Sequence, residues 1–207
     1  MEWPGHTGRA SGYGDAQNPL LVIGAGPYGL STAAYAKTHG IEPLLVGEPM
    51  GFWRGNMPER MLLRSGTDWH LDADGINTFE AFLLERGVDP TRVSPIPLQT
   101  FLDYTEWFCE EKQIQPRPSF VTHLDVADGL FIASLDDGQR LIADAVVAAP
   151  GIARFAVIPE WVPASLPNYR WTHTCELVRF DELSGARILI VGGRQSAARR
   201  SGSDQRQ

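Results

Sequence analysis

Cysteine is scarce in this chain: two in 207 residues, Cys109 and Cys175, far apart and without a C-x-x-C pair. That excludes both a disulfide framework and a local redox-active dithiol, and it fits a reducing cytoplasm. Long apolar runs are missing as well. None approaches the roughly 20 residues that cross a bilayer, and the N-terminus lacks the charged-then-apolar layout of a signal peptide. Positive charge is in deficit, with 18 Lys and Arg against 25 Asp and Glu and a net charge of −7. Such a balance argues against a polyanion-binding surface, and so against nucleic acid as a partner. His39, His70, His123 and His173 show no metal-like spacing, and His123, inside a strand pattern, reads as structural. Ser196 sits in G-R-Q-S-A, which is not the G-x-S-x-G of a hydrolase elbow. The acidic pairs Glu110-Glu111 and Asp136-Asp137 read as solvated helix and turn positions rather than acid/base dyads.

What is present begins with Pro19-Leu20-Leu21-Val22-Ile23-Gly24-Ala25-Gly26-Pro27-Tyr28-Gly29. An apolar run ends in G-x-G-x-x-G and opens the Ala-rich stretch 30–39, the pattern of a buried parallel strand that feeds a helix through a glycine turn. Gly24 permits the turn, Gly26 lets backbone approach a pyrophosphate, and Gly29 allows close helix–strand packing. The helix N-terminus offers unpaired N–H groups and a positive dipole end to phosphates. A second apolar run, 43–46, follows at βαβ spacing with Glu48 at its end, 19 residues past Gly29. A carboxylate there can accept hydrogen bonds from a ribose diol.

At 43% hydrophobic content the chain can bury one good-sized core and part of a second. Residues 1–18, rich in Gly, Ser and polar side chains, read as a disordered leader. Residues 48–78 read as a loop-rich segment carrying Phe52, Trp53, Trp69, Arg54, Arg60, Arg64 and His70, too long and aromatic for a simple connection. Helices are expected over 78–85 and 98–112. In the second, Leu98, Phe101, Leu102, Thr105, Phe108 and Cys109 mark the inward face, while Asp103, Glu106, Glu110 and Lys112 fall mostly outside it. From Phe120 the period becomes two: strands over 120–126, 130–135 and 139–143, with Asp128-Gly129 and Asp137-Gly138 as turns, form a small antiparallel meander. A separate buried strand is expected over 145–149, then extended proline-rich chain to about Asp181. A second strand, 187–191, enters Gly192-Gly193-Arg194-Gln195-Ser196-Ala197. Beyond Ala197 no apolar residue larger than alanine follows, so that strand lacks the cover it needs. Either this element packs on another chain or the product is cut short; truncation is the favoured explanation, and unplanned pairing of the exposed strand near Val191 is a risk.

Together these landmarks resemble the two-dinucleotide flavoprotein monooxygenases, including NADPH-dependent flavin monooxygenases and N-hydroxylase-like flavoproteins. The resemblance rests on the first glycine turn, Glu48, Gly51-Phe52-Trp53-Arg54, Met61-Leu62-Leu63-Arg64-Ser65, Ala148-Ala149-Pro150-Gly151, Trp171-Thr172-His173-Thr174 and the second turn, in the family's order. It implies a Rossmann-like three-layer α/β fold with the meander, an FAD-binding domain over 19–183, and the cut-short start of an NAD(P)-binding domain over 184–207. Carried across by residue, Gly24, Ala25, Gly26, Pro27, Tyr28 and Gly29 would hold the FAD pyrophosphate and Glu48 the adenosine ribose. Trp53 and Arg54 would flank the cofactor, and Arg64 and Ser65 would lie in the loop passing near the isoalloxazine. Gly192, Gly193, Arg194 and Ser196 would meet NADPH, at an incomplete site where Arg194 replaces the more usual glycine. Trp53 has an alternative as plain core packing, and Arg54 and Arg64 as solvated or ion-paired surface arginines.

The implied reaction is NAD(P)H reduction of flavin, then C4a-peroxyflavin oxygen transfer to a small-molecule substrate that the sequence does not identify. A catalytically inactive FAD-binding fragment and a single-Rossmann NAD(P) dehydrogenase are the alternatives. The meander and the second glycine turn stand against the dehydrogenase. Oligomeric state is open.

Overall fold

The computed structural model describes residues 17–176 and 181–192. Its frame is the strand–turn–helix–strand unit that the glycine motif announces. β1 (Gln17–Ile23) leads into α1 (Pro27–Thr38) and then β2 (Pro43–Val46), which pairs parallel to β1 with Leu20 opposite Pro43 and Ile23 opposite Val46. From Pro19 to Ile23 β1 is apolar, and it meets a core on each face. Leu20 and Val22 feed one core cluster, Leu21 and Ile23 the other. α1 lies on the first of these clusters through Leu30, Ala33 and Ala34, small side chains that bring helix and sheet close.

The segment 48–78, expected to be loop-rich, contains two short elements, α2 (Gly51–Asn56) and β3 (Leu62–Leu63). Six residues are too few for a hydrophobic period to declare a helix. α3 (Phe79–Glu85) and α4 (Leu98–Glu111) follow, joined through β4 (Ile96–Pro97), which pairs antiparallel with β3. Thr78 caps α3 by accepting from the Ala81 amide at 3.1 Å, the contact its residue type favours. α4 buries Tyr104 and Trp107 besides the expected stripe, and leaves Cys109 only half-buried. The reason is that α4 packs both on the glycine-turn unit and on α3, where Phe79, Phe82, Tyr104 and Trp107 stack with centroids 4.9–6.1 Å apart.

The meander is present as β5 (Val121–Ala127), β6 (Leu130–Leu135) and β7 (Arg140–Ala148). One correction applies. The strands expected separately over 139–143 and 145–149 are a single strand, β7. Residues 140–143 pair antiparallel with β6, while 142–148 pair parallel with β1. Meander and parallel sheet are therefore one five-stranded sheet, ordered β2-β1-β7-β6-β5. Asp144 falls inside the apolar run 141–148, and a strand that changes partners half-way continues through it.

A second correction concerns 187–191. These residues form no strand: Ile188 is 52% exposed, Leu189 87% and Val191 72%. An apolar run becomes a buried parallel strand only against a neighbouring strand and with cover on both faces, and the described residues supply neither. Between β7 and that run lie a short helix, α5 (Trp161–Ser165), and single 3-10 turns, with Ile152, Phe155, Val157 and Tyr169 exposed. β1 begins at Gln17, two residues before the expected boundary. No helix among the described residues is long and apolar enough to cross a membrane.

Candidate functional site

The sheet order makes the C-terminal end of β1 a switch point: the chain leaves β1 through α1 to β2 on one side and returns as β7 on the other. In open α/β sheets, ligands bind in the crevice outside such strand ends. Three strand ends meet there. Gly24 N donates to Val46 O at 2.7 Å, and Ala149 N donates to Ile23 O at 2.7 Å. Gly24 has φ +105°, and a Cβ on it would lie 2.1 Å from the Ala149 carbonyl oxygen. A Cβ on Gly29 would lie 1.7 Å from the Gly24 oxygen. Both glycines are therefore required by the protein's own packing. Gly26 differs: a Cβ there meets no atom within 4 Å. Its freedom from the protein leaves the approach to the turn clear.

α1 begins immediately behind. Gly26 is its N-cap, with no side-chain hydrogen bond to the helix start, Pro27 occupies the first turn, and no acidic residue lies there. Leu30 N takes the Gly26 carbonyl at 2.9 Å as the first helical bond, so the Tyr28 and Gly29 amides have no helical acceptor. Tyr28 is 81% exposed. Ala25 is buried, and its carbonyl is fixed by the Met50 amide at 2.9 Å. An unneutralised helix start beside the unobstructed Gly26 suits an anion, so the chain's own residues fit a pyrophosphate here.

Glu48 is exposed and directly follows Gly47 at the end of β2. Sequence reasoning missed the part Gly47 and Met50 play. Gly47 has φ +147°, and a Cβ on it would sit 2.6 Å from the Ala25 amide nitrogen, so only glycine lets β2 end against the turn. The signal was a glycine between an apolar strand and an acid. Met50 is buried in the left-handed region at φ 54° and starts α2; nothing local in the sequence announces that.

The remaining expected residues part company. Trp53, half-buried in α2, stands edge-on to Phe101 at 4.9 Å, and Trp69 is tilted against the same ring at 5.5 Å. Arg54 donates to Glu106 at 2.7 Å and to Pro49 O at 3.3 Å, an exposed pair linking α2 to α4. Arg64 is exposed and makes no ion pair among the described residues. Gly192 is exposed with φ +126°. Gly193, Arg194 and Ser196 lie outside the described residues.

The loop between β3 and α3 is clasped from below. Asp72, 2% exposed, accepts from the amides of Asp74, Ile76 and Asn77 at 3.2, 3.1 and 2.7 Å, and from Lys112 Nζ at 2.9 Å. Lys112, expected outside the buried stripe, is only 12% exposed. Tyr104 Oη accepts from Leu71 N at 2.9 Å and donates to Asn77 O at 3.0 Å. Burial raises the Tyr104 pKa well above its ordinary value.

Cys109 has no redox partner, because both cysteines are free. Burial, with Glu106 and Glu110 adding to it, pushes its thiol up to about 11. The thiolate is the reactive form, so alkylation of native Cys109 at pH 8 is expected to run at least about tenfold slower than in the denatured chain. Time-resolved mass spectrometry of iodoacetamide adducts checks this; equal rates would contradict the half-buried, inert thiol.

The switch-point crevice, glycine turn and helix N-terminus define a Rossmann-like nucleotide-binding α/β protein. The chain belongs to the pyridine nucleotide-disulphide oxidoreductase family, matched over residues 18–197, an FAD-dependent pyridine-nucleotide oxidoreductase family. It is 27% identical over 186 residues to a ferredoxin–NADP reductase of Nocardioides sp., covering 86% of this chain and 48% of that protein. It is 32% identical over 109 residues to an FAD-dependent urate hydroxylase of Xanthomonas campestris pv. campestris, covering 49% of this chain and 23% of the relative. Among solved structures, a flavin monooxygenase from Stenotrophomonas maltophilia superposes with a TM-score of 0.68 at 20% identity, over 89% of this chain and 53% of that one. The bacillithiol disulfide reductase of Staphylococcus aureus gives 0.55 at 19% identity, over 65% and 38%. The chain thus spans about half the length of these proteins or less.

Proposed function

We propose that residues 19–183 bind FAD at the switch-point crevice and that the chain is the FAD-binding portion of an NAD(P)H-using oxidoreductase of the monooxygenase type. One observation carries the reading: of the three motif glycines, only Gly26 is left clear by the protein, at the amide-rich start of α1. The amides of Tyr28 and Gly29 would face the pyrophosphate, with the α1 dipole behind them. Glu48, at the end of β2, would accept from the adenosine ribose hydroxyls. Trp53, half-buried, and Trp69, exposed, each meet the Phe101 ring and would form the wall along which the rest of the cofactor extends. Bound flavin would supply hydride acceptance and oxygen chemistry, while the protein contributes orientation and exclusion of water. The substrate would be a small molecule.

A second reading has its own observation. Residues 187–191 form no strand, and Gly192 is exposed. Among the described residues, no strand therefore leads into the turn expected for NADPH. On this ground the chain binds FAD without appreciable NADPH turnover.

Titration with FAD, followed by flavin fluorescence quenching and by absorbance near ~450 nm, tests both. Saturable FAD binding with little NADPH oxidation supports the second reading, and binding with turnover supports the first. A chain that ignores FAD but retains NAD would replace both with the single-Rossmann dehydrogenase.

A further inference from the structure

The five-stranded sheet has two outer strands, β2 and β5. The β2 edge is closed: Arg117 N donates to Leu45 O at 2.8 Å, and Gly47 N donates to Arg117 O at 2.9 Å. No described residue closes the β5 edge in this way. β5 reads V-T-H-L-D-V-A, without the Lys or Pro that commonly blunts an open edge. Its one irregularity, a bulge between Val121 and His123, lies at the strand's beginning.

Which backbone groups are free follows from the hairpin. Asp128 and Gly129 have φ of 52° and 78°, and the two-residue turn closes on the pair Ala127–Leu130. In such a hairpin the closing pair exchanges both hydrogen bonds, and bonded and non-bonded pairs then alternate. Ala127, Asp125 and His123 therefore direct their N–H and C=O to β6, while Val126 and Leu124 direct theirs outward. Leu124 is 39% exposed and Val126 65%.

A second β5 laid antiparallel across a two-fold axis must match this alternation, so the axis passes through a residue and not between two. Centred on Asp125, it would oppose two carboxylates; centred on His123, two imidazoles. Centred on Val126, it would set Leu124 against the turn residue Asp128. Centred on Leu124, the middle of Val121–Ala127, it overlaps the whole strand. His123 of each copy then faces Asp125 of the other at a non-hydrogen-bonded pair, where side chains approach most closely. Within one copy these two already pair at 3.1 Å on one exposed face, so the dimer would join two His–Asp pairs into a four-membered set.

The geometry points to a second copy of this chain as the partner of the β5 edge, in an isologous dimer centred on Leu124 whose sheet runs continuously through both copies. Sedimentation equilibrium of the full chain over a dilution series tests it. A reversible dimer is expected. Leu124→Pro removes an outward amide at the two-fold axis without touching the β5–β6 ladder, and should leave a folded monomer by circular dichroism. His123→Asp and Asp125→His should each raise the dimer dissociation constant about fivefold or more by opposing like groups. The double charge swap should return it to within about twofold of wild type, which a purely structural role for either residue would not do. The charge series decides the matter even if the proline variant misfolds. A chain monomeric at every concentration, a dimer insensitive to these changes, or a swap weaker than either single variant would overturn the proposal.

Discussion

Alanine at Gly29 is expected to unfold the turn, whereas alanine three residues earlier, at Gly26, leaves the fold intact and weakens FAD binding. The contrast follows from what each new methyl group would meet. At Gly29 it would lie 1.7 Å from the Gly24 carbonyl oxygen and 3.4 Å from Leu45 Cδ1. The first of these is backbone in the same turn and cannot step aside as a flexible side chain would. Relief requires moving α1 away from β1 and β2, which forfeits the contacts of Leu30, Ala33 and Ala34 with the larger core cluster. A cost on the order of 3 kcal/mol or more is expected, large beside the 5–15 kcal/mol that holds a typical domain. At Gly26 the backbone is at φ −81°, ψ −175°, extended and open to any residue, and the methyl meets nothing. The loss of a good N-cap residue costs about 1 kcal/mol. FAD affinity should nonetheless fall at least about tenfold, because the methyl occupies the side from which a pyrophosphate approaches the amides. Urea melts and FAD titration of the two variants check this. If Gly26→Ala bound FAD as the wild type does, the crevice would not be the site.

What was legible beforehand was whatever depends on neighbours in sequence. The strand–glycine turn–helix unit declared itself because β1 is apolar on both faces and its glycines sit at fixed offsets. α4 declared itself through its 3.6 period, and the hairpins through Asp-Gly pairs that accept positive φ. What stayed hidden depends on neighbours in space. β7 looked like two strands, because a change of partner along one strand leaves no local mark. Lys112 looked like a solvated lysine at a helix end, since its carboxylate lies forty residues earlier at Asp72. The same distance conceals why Arg54 pairs with Glu106 and why Trp53 rests on Phe101. Residues 187–191 failed in the opposite direction. Their pattern is that of a buried strand, but pattern alone supplies no partner. The turn divides in the same way: the offsets of Gly24, Gly26 and Gly29 are visible in sequence, whereas the left-handed Met50, which holds the Ala25 carbonyl, leaves no local mark.

Asp72→Ala is the second change with a large expected effect, on stability and through it on the site. The substitution removes the acceptor of three backbone amides and of Lys112 together. Lys112, 12% exposed, would keep only Asp74 at 3.9 Å, so about 3–5 kcal/mol should be lost, the usual penalty for stranding one partner of a buried pair. Lys112→Met should cost less, roughly 1–3 kcal/mol, because the three amides still satisfy the carboxylate. The acid dependence has a definite sign. Burial by itself would raise the Asp72 pKa, but the Asn77 amide, Lys112 and the Asp74 amide outweigh it and hold the group below its ordinary 3.8. An unfolded chain then binds the proton more readily than the folded one. The stabilisation is therefore complete above about pH 4 and drains away as the pH falls through the folded-state value. Thermal melts between pH 7 and pH 3 should show the wild type losing more of its midpoint below pH 4 than Asp72→Ala does, with Lys112→Met between them. Parallel profiles would mean the carboxylate is not the clasp. Since the clasped loop carries Trp69 against Phe101, FAD should bind Asp72→Ala more weakly at temperatures where it is still folded. The loss should be smaller than for Gly26→Ala, because the pyrophosphate amides are untouched.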